Sequence, residues 1–180
     1  RKVLGARLRT KLVAAFVTPT DLWWHEAGGT GTAEYLDMLA SEFVADLEAR
    51  YRLLGGPENR ALLAQENFAL SSAYGALLHP DVFGKVALQS VALGDIARHA
   101  LFQLIESDPL EPVAFHVEWD RHEAHDADGG YDNAADSLRL FEALRGRGYR
   151  VTGGEVLDTA GWGAWRARTD DLLEALYPLD

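Results

Sequence analysis

The stretch Arg60-ALLAQENFALSSAYGALLHPDVFGKVALQ-Ser90 decides the fold. It opens on a short apolar run over 60–65 (RALLAQ) and passes through a small-residue helical segment over 70–78 (LSSAYGALL). The helix stops at His79 and Pro80, and the chain resumes as a second apolar run over 86–90 (VALQS). Runs this short and this uniformly apolar suit strands covered on both faces, and a helix joining two of them makes a parallel crossover unit.

The same alternation extends both ways. Upstream, 11–18 (KLVAAFVT) is a further buried-strand pattern closed by Pro19. Over 33–51, Tyr35, Met38, Leu39, Phe43 and Leu47 recur at three- and four-residue steps, which predicts an amphipathic helix. Downstream, the pattern predicts a helix over 96–105, a strand over 112–119, an acidic loop over 120–132 and a helix over 133–145 stopped by Gly146 and Gly148. A strand over 149–156 and a helix over 162–177 close the chain. Strands and helices alternating at this pitch predict an α/β fold, a three-layer αβα sandwich on a mostly parallel sheet of about five strands. The 180 residues, 48% hydrophobic and 25% charged, suit one domain spanning 1–180.

Charge and composition exclude several classes. A net charge of −11 disfavours contact with nucleic acid or an anionic membrane. No apolar run reaches the roughly 20 residues that span a bilayer, and no signal-peptide succession opens the chain. The expectation is a soluble protein, with the cytoplasm favoured over secretion. The absence of cysteine excludes disulfides and thiolate chemistry. The first residue is Arg1, and the single methionine, Met38, lies inside a helical pattern, which reads as a processed or partial sequence.

The helix Tyr35-LDMLASEFVADLEAR-Tyr51 and the run Asn59-RAL-Leu63 after it resemble, in turn, the helix before the nucleophile strand and that strand itself in the enterochelin-esterase-like branch of the α/β-hydrolases. His79-PDVFGK-Val86 with Leu88-Gln89-Ser90 resembles the segment after the nucleophile helix, while Leu144-RGRGYRV-Thr152 and Trp162-GAW-Arg166 resemble the closing region. The resemblance implies an α/β-hydrolase-like domain, the C-terminal portion of the family's full domain, without its N-terminal strands. Residues 11–18 would be the fourth strand of that order and 60–65 the fifth. The third, which belongs between them, has no counterpart here, so either a second polypeptide segment or another copy completes the sheet, which is the expected case, or 11–18 and 60–65 pair directly in a rearranged sheet.

The resemblance also places the family's catalytic groups. Its serine sits in a Gly-x-Ser-x-Gly turn, which falls on Ala64-Gln65-Glu66-Asn67-Phe68. Glu66 stands for the serine, both glycines are gone, and the turn is expected to be reshaped by Phe68. The family's histidine position holds Ala160, and its acid falls on Glu123 or Asp120. A carboxylate at an elbow can itself be a nucleophile, but its ester intermediate needs a histidine to activate water. The implied function is therefore a catalytically degenerate esterase-like domain, a pseudoenzyme serving as a binding or structural module. The alternative is an active carboxylic-ester hydrolase using non-standard residues or segments outside this chain.

Other candidates are weaker. Trp23, Trp24 and His25 follow the first predicted strand at its carboxyl end, where open parallel sheets bind ligands. Together with Gln65, Glu66 and Asn67 they form the expected small-molecule site. His116, His122 and His125 with the surrounding carboxylates offer metal-ligand chemistry, and Asp126-ADGGY-Asp132 has a partial likeness to a calcium loop. It lacks the closing glutamate and reads as a solvated loop, so no metal and no cofactor are expected. Ser71 and Ser72 fall inside a helix and read as packing residues.

Overall fold

A computed structural model describes residues 12–17, 30–107, 109–123, 125–126, 131–159 and 161–178. The deciding stretch forms the expected unit: β1 (Ala61–Gln65), α3 (Asn67–Leu78) and β2 (Lys85–Gln89). Ahead of it, α1 (Thr30–Met38) runs through a π-helical turn (Leu39–Phe43) into α2 (Val44–Arg50). Behind it come α4 (Asp95–Glu106), β3 (Ala114–His122), a short antiparallel pair β4 (His125–Asp126) and β5 (Tyr131–Asp132), α5 (Asn133–Arg147), β6 (Arg150–Thr159) and α6 (Trp162–Leu176).

Among the described residues the main sheet has four strands in the order β1-β2-β3-β6, all parallel. Successive side chains of a strand point to opposite faces, and the two faces meet different helices. Val86, Leu88, Phe115 and Val117 pack with Leu70, Leu77, Leu101, Ile105, Leu140 and Leu144 from α3, α4 and α5. On the opposite face Ala87 packs with Leu172, Leu176 and Tyr177 at the end of α6. The result is a three-layer αβα sandwich.

Small residues make α3 fit. Ala69, Ala73 and Ala76 are fully buried against the sheet. A Cβ on Gly75 would lie 2.5 Å from Leu36 Cδ2, so this glycine lets α1 lie close on α3. Helix α5 starts on the Asp132 carboxylate, which accepts from the N–H of Ala135 at 3.0 Å, and ends on Gly148 at φ 104°.

Three expectations are corrected. Residues 12–17 form no strand, and Val13 and Phe16 are 54% and 96% exposed. Among the described residues no strand lies beyond β1, so this apolar segment has no ladder to join, and the sheet has four strands rather than five. Strand β3 runs to His122, three residues past Trp119, because β6 pairs with it as far as Thr159, across a one-residue register shift between Asp120 and His122. Asp120 is therefore a strand residue, not the start of an acidic loop. Finally, α3 begins at Asn67 rather than Leu70, directly on the turn after β1.

Strand β6 carries Gly153 and Gly154 at φ 99° and 133°. A Cβ on Gly153 would stand 2.1 Å from the carbonyl oxygen of Val117, in the strand it pairs with. Backbone cannot withdraw as a side chain can. Gly153→Ala is expected to cost at least about 3 kcal/mol of unfolding free energy in urea titration, whereas Gly146→Ala, with open space around it, should not destabilise.

Candidate functional site at the carboxyl edge of the sheet

The four strands share one register row toward the carboxyl edge of the sheet. Gln65, Gln89, Glu118 and Gly154 are consecutive register partners across β1, β2, β3 and β6, so their side-chain positions share one face. Gln65 Nε2 donates to Gln89 Oε1 at 3.1 Å, and Gln89 Nε2 donates to Glu118 Oε1 at 2.6 Å and to the carbonyl of Trp165 at 3.3 Å. Gln89 is fully buried and Glu118 nearly so.

Helix α6 drops one cation onto this row. Trp165, Arg168, Leu172 and Leu176 recur at three- and four-residue steps and form its inner stripe. Arg168 Nε donates to Glu118 Oε1 at 2.9 Å, Nη1 to Asp158 Oδ2 at 2.9 Å, and Nη2 to Asp120 Oδ2 at 3.2 Å. Its Nη1 also lies 2.9 Å from Asp120 Oδ1, so the guanidinium grips Asp120 with both nitrogens.

Burial and pairing pull these groups in opposite directions. Burial alone would push the Glu118 carboxyl up, but hydrogen bonds from His116, Gln89 and Arg168 hold it below the usual carboxylate range. Asp120, fully buried, stays above that range because desolvation outweighs the Arg168 contact. Burial would lower the Arg168 guanidinium, and the Glu118 and Asp120 carboxylates raise it instead. His116 completes the cluster, with Nδ1 3.1 Å from Thr152 Oγ1 and Nε2 3.4 Å from Glu118 Oε2.

Glu66 occupies the turn between β1 and α3 at φ 48° and ψ −125°, a conformation that L side chains rarely adopt. Its N–H donates to the carbonyl of Gln89 at 3.1 Å, and its own carbonyl accepts from Ala69 N at 3.0 Å. The sharp strand-to-helix turn is thus kept, not reshaped. Ala64, just before the turn, is buried, and Phe68 sits half-buried in the first turn of α3. Gln65 and Asn67 flank Glu66, one partly buried and one exposed.

A second strained residue stands at the next strand end. Ser90, at φ 55°, is fully buried. Its Oγ donates to Glu123 Oε1 at 2.5 Å and accepts from Trp165 Nε1 at 2.7 Å. The same Glu123 oxygen accepts from the backbone N–H of Asp120 at 2.9 Å. Both positions expected for an acid are therefore engaged inside the protein, Glu123 by Ser90 and Asp120 by Arg168. Trp23, Trp24, His25 and Ala160 lie outside the described residues. A small hollow lined by Lys85, Phe115, Arg150 and Leu176 opens at the opposite, amino end of the sheet, away from Glu66. Among the described residues no group of three or more His, Cys, Asp or Glu side chains could hold a metal ion, and no helix is long and apolar enough to cross a membrane.

Arg168, Gln89 and Ser90 are the residues that sequence reasoning passed over, while Glu118, which it counted among carboxylates offering metal-ligand chemistry, is paired with Arg168. One signal was present: His116, Glu118 and Asp120 alternate within a strand that must be covered on both faces, so three ionisable groups had to share a buried side.

No protein-family model matches the chain, and no curated protein matches it. Solved structures do share its fold. A ferulic acid esterase from Anaeromyces mucronatus superimposes with a TM-score of 0.66 at 17% identity, over 88% of this chain and 57% of that one. The enterochelin esterase of Shigella flexneri gives 0.65 at 16% identity, over 88% of this chain and 40% of that one. An S-formylglutathione hydrolase from Staphylococcus aureus gives 0.54 at 12% identity, over 81% and 65%. The chain has the α/β-hydrolase fold of these esterases and spans less than two thirds of their length.

Two outcomes follow from the geometry. Arg168→Met would strand two buried carboxylates without their cation, at an expected cost of about 3–5 kcal/mol. Both would then titrate above their unfolded values, and stability from such groups is lost as pH rises through the folded pKa. The deficit should therefore be full near pH 7 and shrink toward about pH 4 in chemical denaturation. Glu66→Gly should stabilise the fold by about 1 kcal/mol in urea titration by releasing the strained φ, while Glu66→Ala, still carrying a Cβ, should not.

Proposed function

We propose that the chain is a non-hydrolytic domain of the esterase fold, serving as a binding or structural module. One observation carries the reading: Glu66 stands in the strained turn at the position that the sequence resemblance gives to the nucleophilic serine. The residue aligned with the family's histidine is Ala160. A carboxylate here could attack an ester, but without a base to activate water the acyl group would stay on the enzyme. The internal engagement of Glu123 and Asp120 supports the same reading, since an acid bound to Ser90 or Arg168 has no histidine to orient. Losing nucleophile and base together costs several orders of magnitude in rate.

Residues 1–180 are read as one domain aligned with the C-terminal portion of the esterase domain. A small-molecule ligand would lie at the carboxyl edge against Gln65, Glu66 and Asn67, joined by Trp23, Trp24 and His25 from the loop after 11–18. A second polypeptide segment or another copy would complete the sheet beside β1. No cofactor, metal or nucleic acid enters this reading.

The rival is an active carboxylic-ester hydrolase using other residues or other segments. The positive φ kept at Glu66 favours it, because such strain is stored where chemistry needs it. The purified chain, assayed on chromogenic acetate and butyrate esters, is expected to match the buffer rate and to show no acyl adduct by intact mass. Sustained turnover abolished by one substitution would overturn the proposal. A stoichiometric adduct on Glu66 would instead identify a trapped carboxylate nucleophile and contradict a purely binding role.

A further inference from the structure

We draw no further inference here: the strongest candidate, the apolar surface patch at the first turn of α6 where Trp162 is 78% exposed beside Trp165, carries none because nothing in the structure shows what covers it.

Discussion

A parallel sheet has to be covered on both faces, and here one face depends on a helix held at its polar end by the Arg168 guanidinium, with Trp165 bonded to Gln89 and Ser90 beside it. Among the described residues α6 is the helix that packs on that face, and its apolar contact reaches Ala87 and Ala61 near the amino end through Leu172, Leu173, Leu176 and Tyr177. Toward the carboxyl end the face turns polar, with Gln89, Glu118 and Asp120 buried in a row. Such groups are costly unless each is paired. Arg168 makes the pairing possible, and its bonds fix where α6 lies.

The consequence for function is local. In this fold the carboxyl ends of the strands are where reacting groups stand free to meet a substrate. In this chain they are turned onto one another. Gln65 and Gln89 extend the row from β1, Ser90 and Trp165 hold Glu123, and Arg168 holds Glu118 and Asp120. The backbone makes a sharp turn at Glu66, and the side chains of the adjoining strand ends are bonded to one another inside the protein.

The layered α/β architecture was legible because buried parallel strands and amphipathic helices leave distinct periods in the sequence, as in 60–90. Residues 12–17 misled for a physical reason: an apolar run has strand propensity, but a strand exists only with a neighbour, and β1 presents an empty edge. The end of β3 was hidden because Asp120, Arg121 and His122 look solvated, although Asp120 is buried by a cation forty-eight residues away. The kept turn at Glu66 was illegible for the opposite reason. Its glycines are absent, and Ala64 with a half-buried Phe68 proved sufficient to hold the strained φ. Arg168 gave no local signal, since its partners lie on β3 and β6.

The central claim is that these carboxyl-edge groups are spent on holding the fold together. The most direct measurement is a double-mutant cycle on Arg168→Met and Glu118→Gln, read from urea unfolding. The account predicts a coupling energy of at least about 1.5 kcal/mol between the two positions. Additive effects within about 0.5 kcal/mol would contradict it, because the carboxylate would then be free of its cation and available for chemistry.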